Sequence, residues 1–263
     1  MGLDFIDSSE ILKDLKTNYL GKNIYYFKTI NSTNDKAKSL ADQGEGEGTL
    51  VIAEAQSRGK GRLNSKWFSP PGGIWASLIL RPPLKLSQVS LITLIIGIAI
   101  VEAVKEIVKI EATLKWPNDC LVNDKKFSGI LLEAKEAENI TRYLIAGFGI
   151  NVNISQGSFP LSLQGKVTSL KEEKGEEISK VSLIKLILEK IEDLYEMFKK
   201  GDLKEIKRRW RLNSKTIGRK VLTREGDKLI KGRVLDINEE GALVLIQNNG
   251  QIITLYSGRL EYL

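Results

Sequence analysis

The chain has 263 residues, 40 Lys and Arg against 33 Asp and Glu, a net charge of +7 and a pI near 9.2. Its 42% hydrophobic and 28% charged residues predict a soluble globular protein of one large domain plus a small one, since single cores rarely outgrow roughly 250 residues. Histidine is absent and Cys120 is the only cysteine, which excludes Ser-His-Asp triads, Cys-His dyads, intramolecular disulfides and almost every zinc catalytic site.

The first residues, Met1 to Ile6, show no basic start followed by an apolar stretch, and Ile6 stands where a myristoylation signal needs Ser or Thr. The longest apolar run, Leu91 to Val101, is interrupted by Thr93 and Gly97 and falls short of the roughly 20 residues a membrane span requires. The expectation is a cytoplasmic protein with a buried helix at that run.

Residues 24–29 alternate like a strand, and Ser32-Thr33-Asn34-Asp35 reads as the cap of a helix to about Gln43, closed by Gly44, Gly46 and Gly48. Strands follow at 49–55 and 73–80, separated by a polar Gly/Pro loop over 56–72, and Ser87 caps a long helix to about Lys109. After a strand at 112–116, Pro117 interrupts pairing. Asn123-Asp124-Lys125 then turns the chain between strands at 120–122 and 127–134, and a last core strand spans 143–152. Residues 156–175 read as loop. Val181, Ile184, Leu188, Ile191, Tyr195 and Phe198 sit at helical spacing, and a further helix runs from Asp202 to about Leu212. From Gly218 onward short strands are punctuated by Gly226-Asp227, Asn238 to Gly241 and Asn248-Asn249-Gly250. The pattern predicts an α+β catalytic domain over 1–215 and a small SH3-like β-barrel over 216–263 with a core of its own, so that truncation after Thr216 leaves the catalytic part folded.

Two segments concentrate polar chemistry. Gln56 to Trp67 packs Gly59-Lys60-Gly61-Arg62 between two strands, a pattern equally suited to a phosphate cradle and to a solvated basic loop; it completes neither a dinucleotide fingerprint nor a Walker A loop. Lys115-Trp116-Pro117-Asn118-Asp119 ends a strand just before Lys126-Phe127-Ser128-Gly129-Ile130-Leu131. Together with Ser32-Thr33-Asn34, Ser69-Pro70, Gly72-Gly73 and Gly147-Phe148-Gly149-Ile150-Asn151-Val152-Asn153, these motifs stand in the order of the biotin protein ligase family, which the chain resembles from about Ile24 to its end.

That resemblance implies a mixed-sheet catalytic domain of the biotin/lipoate ligase type with a C-terminal SH3-like barrel. It implies activation of biotin by ATP to biotinoyl-5′-AMP, with Mg²⁺ whose ligands stay unassigned, and transfer of biotin to a lysine of a biotin carboxyl carrier protein. Lys126, Lys60 and Arg62 are the implied catalytic cations. Ser32, Thr33, Asn34, Gln56, Gly59, Lys60, Lys126 and Gly129 form the implied biotin side, and Arg62, Trp67, Asn118, Asp119, Lys126 and Asn151 the ATP side. A homodimer is implied as well, and no nucleic-acid or membrane partner. Two departures stand out: Lys60 replaces the family's first loop Arg, losing bidentate geometry, and Asn64-Ser65 replaces its final Gly-Arg. The helix-turn-helix segment of some bacterial members is not expected, since about twenty residues precede the first motif.

Bland readings compete. Ser32 is equally a helix cap, Trp67 a core residue, Cys120 a buried apolar residue, Tyr256 a barrel aromatic, and Lys207-Arg208-Arg209-Trp210-Arg211 a solvated helix face rather than a nucleic-acid patch. The rival functions are a lipoate or octanoate ligase or transferase of the same fold, and a non-catalytic basic nucleic-acid-binding module. A transferase needs a thiol, so Cys120→Ser separates it from a ligase.

Overall fold

The computed structural model describes residues 6–82, 88–137, 140–225 and 228–263; the cap expected at Ser87 and the turn expected at Gly226-Asp227 lie outside them. The strands β1 (Ile24–Phe27), β2 (Leu50–Ala53), β3 (Ile74–Leu80), β4 (Thr113–Lys115), β5 (Asp119–Val122), β6 (Lys125–Ala137) and β7 (Ile140–Ile150) form one mixed sheet. Their order is β1-β2-β3-β7-β6-β5-β4, with β1 and β2 parallel and the other pairs antiparallel. Asn123 and Asp124 both adopt positive φ in the tight turn joining β5 to β6, a conformation Asn and Asp tolerate best among residues with a Cβ.

Period-two alternation divides the core between the two faces of the sheet. Leu50 and Ile52 of β2 join the larger cluster, where α3 (Val89–Ala103) packs against α5 (Lys180–Lys199) and α6 (Leu203–Asn213). Val51 points the other way, with Ile79, Tyr143 and Ile145, against Ala37, Leu40 and Ala41 of α2 (Thr33–Asp42). The helix α3 is apolar almost all round because it is buried almost all round. It does not run regularly to Lys109: a π turn spans Val104–Val108, and Lys109 closes it in the left-handed conformation.

Two short helices escape the sequence reading. The first, α1 (Ser8–Leu12), is capped by Asp7, and the second, α4 (Leu170–Lys174), lies inside the supposed loop at 156–175. Ser169 Oγ accepts from Glu172 N at 3.3 Å and Gly175 ends α4 at φ +84°, so the Ser-x-x-Glu and terminal Gly signals were present in five residues too few to show periodicity.

The C-terminal strands β8 (Lys220–Glu225), β9 (Lys228–Ile237), β10 (Leu243–Ile246), β11 (Ile252–Leu255) and β12 (Glu261–Tyr262) form a separate antiparallel sheet in the order β11-β10-β9-β8-β12. Its buried residues do not make an independent core. Val221, Val234, Leu243, Leu245 and Leu260 belong to the same continuous cluster as α3, and Gly241 sits against Leu91 and Leu94. Trp116 Nε1 donates to Gly241 O at 3.1 Å, and Arg211 binds Asp236 at 2.6 Å, so α6 and the end of β4 hold the barrel onto the larger domain.

Candidate active site

Past the N-terminus of α2, the same sheet face that it covers carries glycines instead of side chains. Gly129 pairs with Gly149 across β6 and β7, and Leu131 with Gly147. A Cβ at Gly147 would lie 2.0 Å from Asn34 Oδ1, and one at Gly149 2.4 Å from Trp67 Nε1. The glycines thus give α2 and the loop residue Trp67 room to reach the sheet, and a cleft of about 790 Å³ opens between them.

One end of the cleft is neutral and polar. Ser32 caps α2, accepting from Asp35 N at 3.3 Å. Thr33 N and Oγ1 donate to Gln56 Oε1 at 2.8 and 3.1 Å, and Gln56 Nε2 donates to Ser69 Oγ at 2.9 Å. Ser77 Oγ lies 2.6 Å from Asn34 Oδ1 and 2.8 Å from Thr33 Oγ1, while Asn34 Nδ2 donates to Glu133 at 2.7 Å. Ser77 was missed, although a lone polar residue in the apolar run Ile74–Leu80 was its signal.

The other end is cationic. Lys126 Nζ is 2.5 Å from Asp119 Oδ1 and 4.8 Å from the centre of the Trp67 ring. A β-bulge makes this meeting geometrically possible. Asp119 and Leu121 are two residues apart on one face of β5, yet their partners Gly129 and Lys126 are three apart on β6. The extra residue turns Lys126 to the side that Asp119 and Gly129 share, and sends Phe127 into the core. Arg62 Nη1 donates to Asn118 Oδ1 at 3.0 Å and to Gly258 O at 3.4 Å, and burial pulls its pKa down. Lys115 also lines the cleft, 4.7 Å from the Tyr262 ring, its pKa likewise lowered chiefly by burial. Lys115 stands in the motif Lys115 to Asp119, and its place in the cleft adds a third cation to that end.

Of the other expected residues, Lys60 and Asn151 also line the cleft. Lys60 lines the cleft but pairs with Asp35 at 2.5 Å, far along the chain from Lys126, and that hydrogen bond raises its pKa. Gly59 is not among the lining residues; a Cβ there would strike Trp67 O at 2.5 Å, so packing explains it. Asn151 lines the cleft at its buried margin, with Nδ2 bonded to Thr168 O at 3.0 Å. Tyr256 is 57% exposed and outside the lining, whereas Gly258, Arg259 and Leu260 of the same barrel line it. Asn64 takes φ +58°, which accounts for an Asn where the family has Gly, and Ser65 Oγ donates to Arg62 O within the loop tip at 2.8 Å.

The biotin/lipoate A/B protein ligase family model matches residues 26–151, and the biotin protein ligase C-terminal domain model matches 216–260. The bifunctional ligase/repressor BirA of Bacillus subtilis is 37% identical over 257 residues, covering 97% of this chain and 79% of that protein. This chain belongs to the biotin protein ligase family. The biotin protein ligase of Aquifex aeolicus in complex with biotin and ATP superposes with a TM-score of 0.79 at 30% identity, over 92% of this chain and 98% of that one. The biotin–[acetyl-CoA-carboxylase] ligase of Paracoccus denitrificans is 26% identical, over 82% of this chain and 90% of the relative. The α+β architecture with its SH3-like C-terminal sheet is that of the family.

Cys120 and the basic stretch on α6 have structural partners of their own. Cys120 is fully buried, and burial pushes its thiol up to about 12, which leaves almost no thiolate at neutral pH. On α6, Lys207, Arg208, Arg209 and Arg211 pair with Glu239, Glu205, Glu102 and Asp236, and Trp210 is core. Those four cations each have a carboxylate partner within the chain.

Proposed function

We propose that this chain activates biotin with ATP to biotinoyl-5′-AMP and transfers biotin to a lysine of a biotin carboxyl carrier protein. The observation that carries this reading is one cleft with a neutral hydrogen-bonding end at Thr33, Asn34 and Gln56 and a cationic end at Lys126, Arg62 and Lys115. A ureido ring offers donors and acceptors of fixed geometry to this polar end, whereas a dithiolane ring has none to offer. That favours biotin over lipoate. The buried Cys120 thiol argues against a transferase: Cys120→Ala should keep activity within a few-fold of the parent, and loss of all carrier labelling would reinstate a thiol intermediate.

A carboxylate is a poor acyl donor, so the first step joins a biotin carboxylate oxygen to the α-phosphorus and releases pyrophosphate. Lys126 holds both anions together and stabilises the charge spreading over the phosphate oxygens, and Arg62 adds a second cation from the loop. Asn118 orients Arg62 and Trp67 walls the cleft over Gly149. Ser32 sets the α2 terminus at the biotin end, Gly129 leaves space for Lys126, and Lys60, held by Asp35, secures the loop rather than the phosphate. Mg²⁺ would accompany ATP and neutralise charge on its phosphates; among the described residues the lining offers it two carboxylates, Asp119 and Asp124, too few for a cage built by the protein alone.

The domain division proposed is 1–215 for catalysis and 216–263 for the barrel, which supplies Gly258, Arg259 and Leu260 to the cleft. The same reading takes a homodimer as the assembly and the cytoplasm, where ATP is held, as the compartment. No helix among the described residues is long and apolar enough to cross a membrane. Biotin-dependent ATP–pyrophosphate exchange on the purified protein, with lipoate as control, tests the activity; no exchange with biotin would sink it.

The loop 58–66 predicts a second readout. Its tip, Arg62–Asn64, carries Leu63 at 85% exposure and two left-handed residues. Biotin with MgATP should reduce protease nicking within 58–66, because an anionic adenylate draws Arg62 onto itself. Equal cleavage with and without ligands would count against that closure.

A further inference from the structure

The transfer half of the proposed reaction needs an unprotonated amine, yet a lysine has a pKa near 10.4 and reaches the cleft as an ammonium. This chain has no histidine to take the proton. Among the described residues lining the cleft only Asp119 and Asp124 are carboxylates. Asp124 has a side chain 69% exposed and lies 3.2 Å from Lys215, at the outer turn between β5 and β6. Asp119 is 27% exposed and sits beside Lys126, the residue assigned to the reacting carboxylate and phosphate.

Charge balance decides what Asp119 does. Without ligand, Lys126 and Asp119 neutralise each other. Once Lys126 turns to the acyl-adenylate, Asp119 loses its closest counter-ion in a mostly buried place, where an uncompensated charge is costly. Lys126 from β6, Lys115 from β4, Cys120 from β5, Asp124 from the turn after it, Arg62 from the loop, and Arg219, Arg259, Glu261 and Tyr262 from the barrel are charged or titratable groups around the Lys115–Asp119 end of the cleft. Of the cations, Lys126, Lys115, Arg62 and Arg259 line the cleft that would take the phosphate. A cation arriving from the acceptor replaces the charge that Asp119 has lost.

We propose that Asp119 is the catalytic residue of the transfer step, binding the acceptor lysine ammonium and removing its proton beside the acyl carbon. This rests on the adenylate-forming reading above. The freed amine nitrogen bonds to the biotinoyl carbonyl carbon, the bond from that carbon to the bridging phosphate oxygen breaks, and AMP leaves with the electron pair. One proton passes through Asp119 to solvent; the second leaves the nitrogen as the tetrahedral intermediate collapses to the amide.

The test starts from enzyme-bound synthetic biotinoyl-5′-AMP, so that no effect on MgATP can register, and compares two nucleophiles in single turnover. One is the lysine of a carrier domain, and the other is hydroxylamine, which is already neutral at pH 7. Asp119→Asn should lower transfer to lysine by about 10²-fold, the lower end of general acid–base effects, while changing capture by hydroxylamine by less than about three-fold. The lysine deficit should shrink as pH rises from 7 to 9.5. Asp119→Ala should show the same ratio, and hydroxylamine capture shows that either variant is folded and loaded. Equal loss with both nucleophiles, no loss with lysine, or a deficit that ignores pH would each overturn the proposal. Exchange of ATP with pyrophosphate by the parent protein reports the underlying reading separately: its absence removes that reading, and its presence with an unchanged nucleophile ratio removes Asp119 alone.

Discussion

Lys126→Ala is expected to slow biotinoyl-adenylate formation by about 10²–10³-fold, the scale of removing one preorganised charge-stabilising donor. Lys126 reaches the cleft from a bulged strand and rests between Asp119, at 2.5 Å, and the Trp67 ring, so its ammonium is positioned before substrate arrives. Attack of an amine on the finished anhydride develops less charge at phosphorus and expels a good leaving group, so transfer should suffer less than activation. Paired single-turnover assays separate the steps, one from biotin with MgATP and one from synthetic biotinoyl-adenylate with carrier. An equal fall in both would assign Lys126 to binding or to shared anhydride geometry. No fall in either would remove it from catalysis and make Arg62, the cleft cation held by Asn118 Oδ1 and Gly258 O, the next to test.

Lys180→Met is expected to destabilise the fold by about 3–5 kcal/mol, the usual cost of stranding one member of a buried ion pair. Lys180 Nζ lies 2.7 Å from Glu54 Oε2, and the two side chains are 2% and 3% exposed. Glu54 also accepts from Ile6 N, and its carbonyl accepts from Trp75 Nε1 at 3.1 Å, so one carboxylate ties the N-terminal segment, β2 and the start of α5 together. Glu54 stands two residues before Gln56, which lines the cleft. Equilibrium urea unfolding of the parent and Lys180→Met measures the loss, and the double variant with Glu54→Leu should recover part of it, because no lone charge stays buried. A single variant within about 1 kcal/mol of the parent would show that water or local rearrangement reaches Glu54.

Much of the cleft was legible because its chemistry is carried by short runs of unusual residues. Lys115 to Asp119, Lys126 to Leu131 and Gly147 to Asn153 each break an apolar stretch with polar or glycine positions, and the structure brings all three to one place. Thr33, Asn34 and Gln56 meet there too, although they lie on a helix and a loop more than twenty residues apart. Gly59 and Lys60 were legible only as loop chemistry. Whether they faced ligand or protein depended on Trp67 O and Asp35, which the local sequence does not position. Ser77 and Arg259 went unnoticed for the same reason, since a residue's neighbours across a sheet or across two domains leave little trace in its own segment.

Residues acting on their immediate neighbours determined the elements: β-branched alternation made the strands, Ser32 capped α2, and Asn123-Asp124 made the turn into β6. Local composition likewise determined the exclusions, because a chain without histidine and with one buried thiol has few ways to do covalent or proton chemistry. Long-range packing decided the rest. The bulge beside Phe127 put Lys126 and Asp119 on one face, the glycine floor let Trp67 lie over Gly149, and the barrel shared its core with α3 instead of keeping its own. Local propensities cost or gain well under 1 kcal/mol per residue, whereas burying a large side chain is worth roughly 1.5–3 kcal/mol, so wherever the two disagreed the packed arrangement prevailed.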